Sequence, residues 1–211
     1  MPEVTPTVFL VDDDSSVRES LNLLLSSAGY DVKPFASAKD FLESERGTPG
    51  PACLVLDVKM PGLSGLDLQK ELKSRNCMIP IVFITGHGDI PMSVQAVKKG
   101  AVDFLPKPFE DDDLLDAVKE ALLRDLQVRA ASDERKISMQ RLESLTTREH
   151  EVLRYLITGM LNKQIAYELK ISERTVKAHR KQVLDKMGVD SIAQLVRLTE
   201  KIGVKPADIS I

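Results

Sequence analysis

Asp12, Asp13, Asp57, Thr85 and Lys107 are the residues of this chain whose types and positions could do chemistry together. Val8-Phe9-Leu10-Val11 ends in Asp12-Asp13, Cys53-Leu54-Val55-Leu56 ends in Asp57, and Ile81-Val82-Phe83-Ile84 ends in Thr85. Val102-Asp103-Phe104-Leu105-Pro106 precedes Lys107. Such runs read as strands buried on both faces, and open parallel sheets bind ligands at the C-terminal ends of their strands. Singly, the acidic pair is a solvated turn and Thr85 and Lys107 are loop residues; four strand ends in order describe a site. Three converging carboxylates repel one another and require a compensating cation. Oxygen-only ligands with an open side suit Mg²⁺ or Mn²⁺, which keep waters and accept a phosphoryl oxygen. Lys107 and the Thr85 hydroxyl could then neutralise a phosphoryl group on one carboxylate, with Asp57 the candidate nucleophile.

The elements that must hold these residues alternate. Ser15 reads as the N-cap of a helix through Val17, Leu21, Leu24 and Leu25, stopped by Gly29. A strand over 31–35 and a short helix after Ser37, packing Phe41 and Leu42, come next. Strand 54–57, a Pro61-Gly62 turn, a helix over 65–75 with Leu66, Leu68 and Leu72, and strand 80–85 follow. A helix over 90–99 ends at Gly100, strand 102–105 succeeds it, and a helix over 111–123 carries Leu114, Leu115, Val118 and Leu122. Strands alternating with helices predict an α/β, doubly wound, five-stranded parallel sheet.

At 211 residues the chain has room for two domains, with 43% apolar and 29% charged residues, as in ordinary soluble proteins. No 18-residue apolar run exists and acidic Glu3 heads no hydrophobic block, so membrane span and signal peptide are not expected and the cytoplasm is. Cys53 and Cys77 read as free thiols. The net charge of −3 hides an asymmetry: residues 1–124 carry 20 acidic and 13 basic side chains, and 125–211 carry 12 and 16. An acidic, cation-binding half and a basic half suited to polyanions are the expectation.

Residues 7–124 resemble a two-component receiver domain of the response-regulator superfamily. The matching residues are Leu10-Val11-Asp12-Asp13-Asp14, Leu56-Asp57-Val58-Lys59-Met60-Pro61-Gly62, Thr85-Gly86 and Lys107-Pro108-Phe109. The resemblance implies strand order 2-1-3-4-5, acceptance of phosphoryl from a sensor histidine kinase on Asp57, and Mg²⁺ held by Asp12, Asp13, Asp57 and the backbone carbonyl of Lys59. It implies a cis bond before Pro108 and a switch in which Thr85 moves toward the phosphoryl group and Phe104 turns inward. The stretch 85–92 is similar to the narrower FixJ-type group; His87 within it reads as a loop residue.

The second half reads as helical. Residues 125–144 lack Pro and Gly and predict a helical linker, although Leu126, Ile137 and Leu142 are too sparsely spaced to establish a coiled coil. Thr146 and Glu149 make a capping box for a helix whose apolar face is Val152, Leu153, Leu156 and Ile157. A helix over 162–170, a turn through Ile171, a Ser172 cap and a helix from Glu173 to Met187 form a helix-turn-helix pattern. On the second of these, Val176, Val183, Leu184 and Met187 point inward, leaving Lys177, Arg180 and Lys181 exposed with Arg174 near the start.

Residues 144–205 resemble the LuxR/NarL-type DNA-binding domain through Leu145-Thr146-Thr147-Arg148-Glu149, Asn162-Lys163-Gln164-Ile165-Ala166, 172–180 and Lys186-Met187-Gly188-Val189. The resemblance implies that Lys177, Ala178 and Lys181 face the major groove of double-stranded promoter DNA while Lys163, Thr175, Arg180 and Lys186 hold phosphates. It implies pairing of two domains through the last helix, about 191–202, and places His179 in a packing role. The expected organisation is a receiver over 1–124, a helical linker over 125–143 and an all-α DNA-binding domain over 144–211. The expected function is a phosphorylation-controlled transcription factor, an activator of FixJ type, homodimeric when phosphorylated, working with RNA polymerase. Its catalysis is confined to Mg²⁺-dependent self-phosphorylation and autodephosphorylation at Asp57. The helix over 90–99, with Val94, and strand 102–105 are the expected dimer face. A catalytic aspartyl-phosphate enzyme and a constitutive DNA-binding protein are the competing readings.

Overall fold

The computed structural model describes residues 4–44, 48–86 and 100–208. The expected helix over 90–99, with Val94, and His87 lie outside the described residues. The chain divides into two compact units, Met1–Arg129 and Ala130–Ile211. In the first, strands β1 (Thr7–Val11), β2 (Asp31–Phe35), β3 (Ala52–Asp57), β4 (Ile81–Thr85) and β5 (Asp103–Pro106) form one parallel sheet of order β2-β1-β3-β4-β5.

The strands read as unbroken apolar runs because both faces of the sheet are covered. Phe9, Val11, Leu54, Leu56 and Phe83 pack on one side against Phe41 of α2 (Ala38–Ser44) and Leu68 and Leu72 of α3 (Gly65–Ser74). Val8, Leu10, Cys53, Val55, Val82 and Ile84 pack on the other against Leu21 and Leu25 of α1 (Ser15–Ser27) and against Leu114 and Val118 of α4 (Asp111–Glu143). β2 carries Pro34, which an edge strand tolerates because no ladder hydrogen bond is needed on its outer side.

Two local expectations are corrected. The N-cap of α1 is Asp14, whose side chain accepts from the N–H groups of Ser16 and Val17, and Ser15 is the first helical residue. A carboxylate on that turn is the stronger acceptor for the unpaired helix donors. Helix α4 does not stop near residue 123 but runs from Asp111 to Glu143. No glycine or proline interrupts that stretch, so nothing breaks the helix where the core-facing apolar spacing fades.

The second unit is helical, with α5 (Thr147–Leu156), α6 (Asn162–Leu169), α7 (Glu173–Met187) and α8 (Ile192–Ile202). Val152, Leu153, Leu156, Ile165, Val176, Val183, Met187 and Leu195 form its core. The capping box of Thr146 and Glu149 is present, and Ser172 caps α7 through its hydroxyl.

Candidate functional site

The sheet brings Asp12, Asp57, Thr85 and Lys107 to its C-terminal edge from four strand ends. Lys107 Nζ donates to Asp12 Oδ2 at 2.7 Å and to Asp57 Oδ1 at 2.9 Å, across 95 and 50 residues of sequence. Asp57 Oδ2 accepts from the Lys59 N–H at 2.7 Å, and Asp12 Oδ1 from the Asp14 N–H at 2.9 Å. The Asp12 and Asp57 side chains are almost wholly buried, whereas Lys107 reaches the surface along its stem. Burial pushes the Asp57 carboxyl up, against the opposing pull of Lys107. Burial would lower the Lys107 ammonium, but its hydrogen bonds to both carboxylates outweigh that and hold it above its ordinary value.

Asp13 does not join this cluster. It is exposed and lines an open cleft of about 510 Å³ with Lys59, Met60 and Ser64, because consecutive residues leaving a strand point to opposite sides. Among the described residues no three Asp, Glu, His or Cys side chains converge as a metal cage. The donors nevertheless suit a hard cation: two buried carboxylates, a third on the adjoining cleft, and the main chain of Lys59 between them. Thr85 is 1% exposed, and its carbonyl accepts from the Lys107 N–H. Phe104 is half-buried with its ring centroid 6.3 Å from that of Phe83, and the Lys107-Pro108 bond is cis.

Three supporting residues escaped the sequence reading. A Cβ on Gly65 would collide with the Asp57 carbonyl oxygen and crowd Val58, so α3 can start against the Asp57 backbone only with glycine there. Arg18 Nη1 donates to the Asp12 carbonyl at 2.7 Å and fixes the acidic turn from α1. Asp125 on α4 is buried and accepts from the N–H of Ala52, the first residue of β3, and from Arg129 Nε; Arg129 also donates to the Thr48 carbonyl. None leaves a mark in periodicity; the glycine after an N-capping serine is the one signal that could have been found.

In the second unit Lys163, Arg174, Thr175, Lys177, Ala178 and Lys181 are exposed, and Arg180 and Lys186 partly so. Arg180 donates to Asn162 Oδ1 at 3.4 Å, joining α7 to the start of α6. Lys186 has a task not foreseen: its ammonium donates to buried Glu149 at 2.6 Å. That bond first, and the Thr146 N–H second, hold the Glu149 carboxyl below the ordinary glutamate range. The Thr175 hydroxyl pairs with that of Ser172 at 2.8 Å. His179 is half-buried.

A five-stranded receiver fold with a lysine-bridged acid pair, followed by a capped helix-turn-helix unit, defines a class. Residues 8–119 match the response regulator receiver domain and residues 143–199 the bacterial regulatory proteins of the luxR family. The chain belongs to the response regulators that join a receiver to a LuxR-type DNA-binding domain, and its relatives are transcriptional regulators of two-component systems. It is 50% identical to nodulation protein W of Bradyrhizobium diazoefficiens over 93% of this chain and 86% of that one. It is 46% identical to the transcriptional regulatory protein FixJ of Azorhizobium caulinodans over 99% and 98%. The solved structure of the response regulator StyR matches with a TM-score of 0.83 and 52% identity, covering 94% of this chain and 100% of that one. Among the described residues no helix is long and apolar enough to cross a membrane.

Proposed function

We propose that the receiver, residues 1–124, accepts phosphoryl on Asp57 from a sensor histidine kinase and thereby controls DNA binding by residues 144–211 through the helical linker 125–143. The observation that carries this reading is Lys107 Nζ held between Asp12 and Asp57 at the sheet's C-terminal edge. An Asp57 oxygen attacks phosphorus, the bond from phosphorus to the kinase imidazole nitrogen breaks, and the imidazole leaves. Asp57 must be ionised to attack; burial opposes this and the Lys107 ammonium favours it. Lys107 then remains beside the acyl phosphate to balance its charge, with Thr85 at the neighbouring strand end. Mg²⁺, or Mn²⁺ in its place, would be held by Asp12, Asp13, Asp57 and the Lys59 carbonyl and would supply neutralisation of phosphoryl oxygens. In autodephosphorylation water attacks phosphorus and Asp57 is released as carboxylate.

Phosphorylation draws Thr85 in, turns Phe104 inward and favours a homodimer, which needs only a few kcal/mol of difference between states to shift populations tenfold or more. The dimer presents two α7 helices to neighbouring major grooves of promoter DNA. Lys177, Ala178 and Lys181 face base edges, with Lys163, Thr175, Arg180 and Lys186 toward phosphates and Arg174, at the start of α7, a donor for either. The bound dimer works in the cytoplasm and activates transcription by RNA polymerase. Incubation with acetyl phosphate and Mg²⁺, followed by intact mass, tests the acceptor. Wild type gains one phosphoryl group and Asp57→Asn none; equal labelling of the two would remove Asp57 from the role.

A further inference from the structure

Helix ends in the second unit follow a pattern that one of them breaks. The chain leaves α5 through Gly159 at φ 83°, α7 through Gly188 at φ 66° and α8 through Gly203 at φ 78°. Helix α6 ends instead on Lys170, at φ 52° and ψ 45°. A side chain there crowds the backbone in a way glycine does not. The other positive-φ side chain among the described residues is Asn76, an asparagine, which tolerates the conformation through local hydrogen bonding. A lysine has no such compensation, so its presence asks for a use of its ammonium.

The surroundings indicate the use. Lys163 and Tyr167 lie four residues apart and so share one face of α6, and Lys170 follows the last helical residue in the left-handed conformation. That face is opposite Ile165, Ala166 and Leu169, which pack toward the core. Tyr167 is 82% exposed, an unusual cost for a large ring in a small domain. Among the described residues neither lysine has an ion pair and the Tyr167 hydroxyl has no hydrogen bond. Glu168, one residue on, is turned away by a helical step of about 100°. The α6 N-terminus is tied to Arg180 of α7, so the face adjoins the exposed basic side of that helix.

We propose that Tyr167 and Lys170 extend the phosphate contacts of the DNA-binding surface, forming with Lys163 a track that grips one strand's backbone without reading sequence. The proposal rests on the DNA-binding reading above. Its left-handed backbone carries the Lys170 ammonium off the course that a helical residue would give it.

The test uses the full chain phosphorylated with acetyl phosphate, and duplex DNA of cognate and random sequence titrated at several salt concentrations. Lys170→Gly is expected to raise or preserve thermal stability. It should also weaken binding to both duplexes and make the log–log salt dependence shallower by about 0.9, as for one lost phosphate contact. Tyr167→Phe, which deletes only a neutral donor, should weaken both duplexes about two- to tenfold and leave the salt slope unchanged. A Lys170→Gly protein with wild-type affinity and slope would overturn the track, as would a loss confined to the cognate sequence. Intact DNA binding with lost transcription would also overturn it and assign the face to a protein partner. A wild-type chain that bound no duplex would overturn the DNA-binding reading itself, a result distinct from an intact binder indifferent to Lys170.

Discussion

Lys107→Met removes the cation but keeps most of the stem, and its cost follows from what is left behind. Asp12 and Asp57 would face each other with side chains 1% and 8% exposed and no ammonium between them. Removing one partner of a buried pair costs about 3–5 kcal/mol. Here the N–H donors of Asp14 and Lys59 remain on the two carboxylates and the site opens on one side, so the expected loss of receiver stability at neutral pH is about 2–4 kcal/mol. The sign of the pH dependence is determined by the carboxyls. Without Lys107 the folded pKa of Asp57, already raised by burial, would rise further, so protonation favours the fold and the deficit shrinks as pH falls through the raised value. The wild-type contribution of Lys107, whose own pKa is raised, is present below the ordinary lysine range and lost as pH rises through the folded value. Hydrogen exchange by mass spectrometry on the full chain, read on β1 and β3 peptides, isolates this unit's opening. Asp12→Asn combined with Lys107→Met should recover part of the loss. A Lys107→Met protein as stable as wild type, or one whose deficit is the same at acid and neutral pH, would refute the reasoning.

Gly65→Ala should destabilise the receiver and slow labelling by acetyl phosphate, since the added Cβ displaces the Asp57 backbone; normal labelling kinetics would contradict the close approach. Thr146→Ala should cost the second unit about 1 kcal/mol through the lost cap, measurable by denaturant titration followed on that unit's peptides. Glu149→Gln should destabilise that unit at neutral pH by an amount that shrinks on acidification, because a lowered carboxyl contributes stability above the ordinary glutamate range and loses it as pH falls. Lys177→Ala or Lys181→Ala should weaken specific binding by about 1–3 kcal/mol, whereas Lys163→Ala should weaken specific and random DNA alike; salt titrations separate the two. Light scattering with and without beryllofluoride should report a dimer only with it, and a monomer that gained DNA affinity would exclude dimerisation as the switch.

The strand ends were legible because a parallel sheet covered on both faces needs unbroken apolar runs, and Asp12, Asp57 and Thr85 each terminate one. Periodicity says where a strand stops, and in this topology every stop lies on one edge, so the site could be located before any contact was known. Which groups then pair is another matter. Lys107 with Asp12, Lys186 with Glu149 and Asp125 with Ala52 join residues 95, 37 and 73 positions apart. Such bonds depend on where packing delivers two side chains, and nothing local to either residue encodes the partner. Asp13 shows the converse. It is adjacent to Asp12 and of the same type, yet it stands exposed on the adjoining cleft beside Lys59 while Asp12 is buried against Lys107, a difference that identity and spacing do not encode. Lys186 shows it again: besides the phosphate contact proposed for it, its ammonium bonds the buried Glu149 of its own unit, which its charge alone does not reveal. Charge read from sequence gives the supply of cations to a face; how many reach a partner outside the chain is settled by the buried acids that claim them first.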